Sequence, residues 1–221
     1  MSIFDQIPLR FPETPLDFDS LTVTDANRHI IRAIRHPQRW PFYAVCLVGP
    51  EKSGLSTLLT AWAGEMGGVY IDAARHASLE SESVQTSSGQ VVAIDQADLL
   101  EDDGALLSLL DRVRRAQQHV LIAANSPPGQ WKISSPDLLS RLKSAPILDL
   151  PDPDEDLMRA RLRRAAARSS LMIPPKVEDY LVIRLGLDFN LIEDTINRLA
   201  GAAGGGRDLT VPVTREVLEA E

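Results

Sequence analysis

The stretch VCLVGPEKSGLSTLLT, residues 45–60, decides how this chain is read. It continues an apolar run that begins at Phe42, and such a run suits a strand buried on both faces. The strand ends in a turn containing Gly49, Lys52, Ser53 and Gly54, and a helical pattern follows from Ser56 to Met66. A strand that turns and restarts as a helix offers backbone N–H groups and the positive end of a helix dipole to an anion. The spacing fits the phosphate-loop pattern G-x-x-x-x-G-K-[ST] at Gly49 and Gly54, with Ser56 in the magnesium-ligand position and Thr57 beside it. The lysine position, however, holds Leu55, which can put no charge on a phosphate. Lys52, inside the turn, is the nearest substitute. The loop is therefore expected either to be an empty packing element or to hold ADP or another nucleoside diphosphate weakly. No cofactor is certain.

The pattern repeats along the chain. Short apolar runs at 69–73, 90–95 and 119–125 read as further strands, and residues 104–118 as an amphipathic helix. Strands alternating with helices predict an α/β fold, a parallel sheet with helices on both faces and a ligand site at the carboxyl ends of its strands. Asp95 closes the strand VVAID and is followed by Gln96, which can hydrogen-bond a water but cannot accept its proton at neutral pH. Asn125 ends the next strand, where it can face a terminal phosphate or simply begin the turn before Pro127 and Pro128. After Pro151 the strands stop. Residues 154–169, 175–186, 188–201 and 214–220 read as helices, with Ala202–Gly206 as a flexible linker. The expected organisation is an extended tail over 1–20, an α/β domain over 21–150 and a small helical lid over 151–221.

Composition narrows the function. The 221 residues are 44% hydrophobic and 24% charged, as in ordinary globular proteins, with a net charge of −8. That balance gives no general attraction for nucleic acid, so direct sequence-specific DNA binding is not expected. No apolar run reaches the ~18 residues that span a bilayer, and the N-terminus lacks a signal-peptide pattern. With Cys46 as the single cysteine, no internal disulfide can form, and a cytoplasmic location away from membranes is expected. His29, His36, His76 and His119 are scattered without metal-ligand spacing, so no metal site is expected.

Taken in order, the phosphate loop, IDQADLL, LIAANSPPGQW, SSPDLLSRLKSAPILDL and LTVPVTREVLEAE resemble the AAA+ module of the DnaA family over nearly the whole chain. The resemblance is strongest to the short regulatory Hda branch, since the sequence stops where an initiator's DNA-binding domain would follow. It implies an AAA+ P-loop domain with a helical lid. Two features carry its functional content. Gln6, Ile7, Leu9 and Phe11, in QIPLRF, resemble the peptide by which replication proteins dock on the DNA sliding clamp, the beta subunit of DNA polymerase III. A glutamine for the pocket edge and three apolar anchors on a proline-stiffened tail suit such docking, whose alternative is a tail folded onto its own domain. Arg141, in Ser140-Arg141-Leu142, matches the family's arginine finger, which is offered in trans to the nucleotide of a neighbouring subunit; the alternative is a helix-end arginine paired with Asp137 or with solvent.

Asn190 stands where the family's lid carries a phosphate-sensing arginine. With Leu55, Gln96 and Asn190 in place, the resemblance implies a retired nucleotide site and a retained finger. The expected function is regulatory inactivation of DnaA, with DnaA and the clamp as partners and self-association left open. The alternatives are a scaffold that binds the same partners without finger activity, and a weak ATPase in which Lys52 substitutes for the missing lysine. Arg159, Arg161, Arg163, Arg164 and Arg168 lie on one helix, with 161, 164 and 168 on one face and 159 and 163 on another. They are expected to form a solvated face balancing Asp152, Asp154, Glu155 and Asp156, the alternative being a contact to DNA or to the acidic surface of a partner.

Overall fold

The computed structural model describes residue 18 and residues 21–51, 53–74, 91–189 and 191–220. Five parallel strands, β1 (Ala44–Val48), β2 (Val69–Asp72), β3 (Val92–Asp95), β4 (Val120–Ala124) and β5 (Ile147–Asp149), form one sheet in the order β2-β3-β4-β1-β5. Helices α1 (Arg28–Ile34) and α2 (Leu55–Glu65) cover one face, and α3 (Asp103–Arg115) and α4 (Pro136–Ser144) cover the other. Four more helices follow: α5 (Glu155–Arg168), α6 (Pro175–Leu185), α7 (Leu191–Gly204) and α8 (Val211–Glu219).

The two-residue period of a strand sorts the core. In β1, Ala44 and Cys46 face the α3–α4 side while Val45 and Leu47 face α1 and α2. In β4, Val120 and Ile122 divide from Leu121 and Ala123 in the same way. This two-sided burial is why both strands read as unbroken apolar runs. On α2, Leu55, Leu58, Leu59 and Trp62 recur at helical spacing and close the first face, and the Trp62 Nε1 donates to the Ile34 carbonyl at 2.8 Å. The C-terminal helices carry an apolar cluster of their own, with Met158, Leu162, Leu181, Ile196 and Leu199 fully buried.

Several elements differ from the sequence expectation. Helix α1 has Asn27 as its N-cap residue and no side-chain cap. The Asn27 amide instead binds the Thr24 N–H and the Thr22 carbonyl, fixing the preceding loop. Strand β5 was not anticipated, and α4 only as a helix ending near Arg141. β5 is a three-residue edge strand with Ile147 exposed, too short to show a period. α7 runs through Gly204, so Ala202–Gly204 are helical rather than linker; Ala203 packs against the C-terminal cluster, and that contact outweighs the glycines' weak helix preference. Phe18, which the sequence placed in the tail, is 2% exposed in the α1–α2 core.

Candidate functional site

The carboxyl ends of β1, β3 and β4 open onto one cleft, and the loop after β1 lies across it. A volume of about 370 Å³ collects Gly54, Ser56, Thr57, Asp95, Asn125 and Arg161. A second space of about 270 Å³ adjoins it, sharing Gly54, Thr57, Arg161 and Phe189 with the first, and has an apolar wall of Leu21, Ile31, Leu58 and Ile192. The structure thus brings together Gly54, Ser56, Thr57, Asp95 and Asn125, with Ser53 on the adjoining wall. Gly49 lies behind them, its N–H bonded to the Ala124 carbonyl, and a Cβ there would come within 3.0 Å of Leu150 Cβ and 3.1 Å of Ser53 Oγ. Lys52, Asn190 and the Gln6, Ile7, Leu9 and Phe11 peptide lie outside the described residues.

Gly54 has φ +98°, a left-handed conformation that glycine adopts without steric cost, and it is the N-cap residue of α2. A glycine offers no side-chain cap, and Leu55, Ser56 and Thr57 at the start of this helix line the cleft. Leu55, at the lysine position, is 8% exposed and packs into the α1–α2 core. It has become a core residue. Ser53 is 7% exposed, and its Oγ finds no hydrogen-bond partner among the described residues.

Asp95 is 2% exposed and both of its oxygens are engaged. Oδ2 accepts the Tyr70 hydroxyl at 2.7 Å and Oδ1 accepts the Gln96 N–H at 2.9 Å. Tyr70 reaches it because β2 and β3 pair in register, Tyr70 opposite Ala93 and Asp72 opposite Asp95, which makes Tyr70 and Asp95 diagonal neighbours on one face. The Ser56 side chain lies within hydrogen-bonding reach of the same phenol oxygen. Burial pushes the Tyr70 hydroxyl above its ordinary pKa, and the hydrogen bond and charge of Asp95 push the same way. Gln96 sits at φ +53° and turns its side-chain amide to Asp72 Oδ1 at 3.3 Å. Asn125 is exposed at the rim, its N–H bonded to Asp98 Oδ2 at 3.2 Å.

The residue that sequence reasoning missed is Arg161. Its Nη2 lies 2.7 Å from the point where a Cβ would stand on Gly54, and its guanidinium stacks 4.5 Å from the Phe189 ring centroid. It is partly buried and has no acidic partner among the described residues. Burial lowers its pKa from the ordinary arginine value, and Arg164 one turn away lowers it further. The five arginines do divide into two faces, but the partners differ from those expected. Arg159 and Arg163 engage Glu178, itself 6% exposed, on α6; of the acidic residues at the start of α5, only Glu155 reaches Arg159, at 3.9 Å. Arg161, Arg164 and Arg168 line the cleft together with Glu193, which pairs with Arg168. The spacing of 161, 164 and 168 was the legible signal; that this face meets the phosphate loop was not.

Arg141 stands on α4, away from the cleft. Its Nε and Nη2 donate to Asp137 at 3.2 and 3.0 Å, and its Nη1 donates to Asp111 on α3. The two carboxylates raise its pKa further above the ordinary arginine value.

No protein-family model matches this sequence. Solved structures do match. Domain III of the Thermotoga maritima replication initiation protein DnaA superposes with a TM-score of 0.72 at 15% identity, covering 95% of this chain and 98% of that one. The chain has a DnaA-like AAA+ fold. AMPPCP-bound DnaA from Aquifex aeolicus superposes at 0.68 with 15% identity, over 85% of this chain and 65% of that one. The Thermotoga maritima RuvB Holliday junction branch migration motor gives 0.69 with 18% identity, over 93% and 72%. The chain spans less than two thirds of the longer DnaA structures, 63% of the one bound to AMPPCP and single-stranded DNA. Among the described residues no helix is long and apolar enough to cross a membrane, and no group of three or more His, Cys, Asp or Glu could hold a metal ion.

Proposed function

We propose that this AAA+ chain is a regulator of replication initiation of the Hda type, one that acts on the ATP of a partner instead of hydrolysing its own. The tail residues Gln6, Ile7, Leu9 and Phe11 dock on the sliding clamp, and Arg141 is offered to ATP held by DnaA. Water then attacks the γ-phosphorus, ADP leaves, and the guanidinium stabilises charge on the transferring group, an effect worth ~10³–10⁵-fold for arginine fingers generally. The observation that carries the reading is the state of the chain's own site. Leu55 is a core residue, Asp95 is held by Tyr70 and the Gln96 N–H, and the Gln96 amide is turned to Asp72, so among the described residues these positions leave no group free to activate water. Arg141 stands outside the chain's own cleft, so it can act on a nucleotide only at another subunit's site.

A scaffold without finger activity is the second reading, and one observation favours it: Arg141 already rests on Asp111 and Asp137. Hydrolysis of ATP preloaded on DnaA, with clamp-loaded DNA present, separates the two. Under the finger reading this chain accelerates hydrolysis at least a hundredfold more than Arg141→Ala does. Equal rates with wild type and variant, while clamp binding persists, reduce the protein to a scaffold. Clamp binding that survives Gln6→Ala with Phe11→Ala removes the tail from the account. Turnover by this chain alone, abolished by Lys52→Ala, would instead make it a weak ATPase.

A further inference from the structure

Two carboxylates engage Arg141, and they come from different places. Asp137 lies one turn earlier on α4 and accepts from Nε and Nη2 at 3.2 and 3.0 Å. It therefore travels with the arginine and fixes one edge of the guanidinium. Asp111 belongs to α3, 30 residues away in sequence, and its Oδ1 accepts from the remaining nitrogen, Nη1. Every nitrogen of the guanidinium thus already donates to an acid. The side chains of Arg141 and Asp111 are 22% and 26% exposed, so the Nη1 contact is partly shielded from water yet open to a competitor.

This arrangement bears on what the arginine can do as found. A finger works by bringing positive charge to a transferring phosphoryl group. One guanidinium between two carboxylates carries net negative charge and repels a phosphate instead. The two acids differ in how easily they let go. Asp111 Oδ1 also accepts from Arg114 Nη2 at 3.3 Å, one turn along α3, so it keeps a cation when Arg141 leaves. Backbone movement is not needed for that exchange. Leu138 and Leu142 of α4 share one buried cluster with Leu106, Leu109, Leu110 and Val113 of α3, so the helices stay packed while a side chain rotates.

We infer that Asp137 is the positioning residue of Arg141 and that Asp111 is its mask, so the finger reaches another subunit's phosphate only after the Asp111 contact breaks. The inference rests on the finger reading above and adds its regulation. The phosphate of the partner's ATP supplies the competing charge, since arginine–phosphate contacts are among the strong, bidentate hydrogen bonds. An isolated copy keeps its finger covered, which ties acceleration to a correctly docked partner. The contacts that favour the scaffold reading are, on this account, the resting state of the finger.

The test repeats the assay of ATP preloaded on DnaA, with clamp-loaded DNA, over a range of concentrations of the full chain. Asp111→Asn is expected to raise the maximal rate about threefold to thirtyfold, between the worth of an exposed ion pair and that of a hydrogen bond to a charged group. The half-saturating concentration is expected to stay within about twofold, because the mask acts on the reacting step and not on docking. Asp137→Asn is expected to lower the maximal rate, since the guanidinium loses the partner that aims it. Asp111→Asn combined with Arg141→Ala should equal Arg141→Ala alone. Phenylglyoxal labelling of the chain without DnaA, read at Arg141 by mass spectrometry, gives an independent measurement. Asp111→Asn should label Arg141 faster, with exposed Arg112 unchanged and buried Cys46 still unreactive to maleimide, which excludes opening of the core. A maximal rate unchanged or lowered by Asp111→Asn, a gain that survives Arg141→Ala, a rate raised by Asp137→Asn, or equal labelling of wild type and Asp111→Asn would each overturn the inference, while acceleration that depends on Arg141 keeps the finger reading. No acceleration by wild type or any variant overturns the finger reading, and the mask falls with it.

Discussion

Tyr70→Phe tests whether the phenol is part of the machinery of the cleft or an incidental neighbour of Asp95. The substitution keeps the ring and removes one hydroxyl, leaving Asp95 Oδ2 without its donor at 2.7 Å while Oδ1 keeps the Gln96 N–H at 2.9 Å. A hydrogen bond to a charged group contributes about 1.5–3 kcal/mol. Asp72 sits directly opposite Asp95 in the β2–β3 ladder, so losing the donor also exposes the facing carboxylates to each other. The expected loss is about 2 kcal/mol at neutral pH, or about 4–8 °C in Tm for a chain of this size. Urea melts of wild type and variant measure it, and the pH dependence adds a second reading. Because the folded state holds the Tyr70 pKa above its ordinary 10.0, its contribution is complete below that pH and is lost as pH rises through the folded value. Phenylalanine has no such loss, so the gap between wild type and variant should narrow above pH 10. Tyr43, whose pKa is also raised, acts equally in both proteins. A loss under about 0.5 kcal/mol at neutral pH, well below the range for such a bond, would refute the reasoning, as would a gap that stays constant into the alkaline range.

Two further outcomes follow from groups outside the cleft. Arg141 holds the Asp111 carboxyl below its ordinary 3.8, so the pair's contribution is present above that pH and is lost as pH falls through the folded value. Asp111→Asn should therefore be less stable than wild type near neutrality, with the two converging in acid, and parallel acid-unfolding curves would contradict this. Cys46 is 1% exposed in the centre of β1, and burial pushes its thiol up to about 12. A maleimide or disulfide reagent should leave it unlabelled in the native protein at mild alkaline pH and label it fully in urea; rapid native labelling would show that β1 opens.

Much of the architecture was legible because it rests on local chemistry. β1, β3 and β4 are buried on both faces, so their residues are apolar without interruption, and the helices between them repeat apolar residues at helical spacing. The loop at Gly49–Ser56 announced itself through the glycines that its close approaches and positive φ require. Leu55, Gln96 and Asn190 marked the site as altered, since each is a missing charge at a fixed distance along the chain. β5 was illegible because three half-exposed residues carry no period, and the end of α7 because packing of Ala203 overrode the glycine signal.

Which cations line the cleft depends on which distant segments meet. The sequence by itself determined that the loop lysine is absent and that residues 161, 164 and 168 share a helix face. Only the tertiary structure decided that this face belongs to the cleft, because the placement of α5 over the α2 N-terminus depends on the packing of the C-terminal helices. Likewise, the strand VYID shows no sign that its tyrosine serves Asp95, 25 residues away. The β2–β3 register sets that contact, and register is a property of two strands together, fixed by which faces they bury, which neither strand encodes alone.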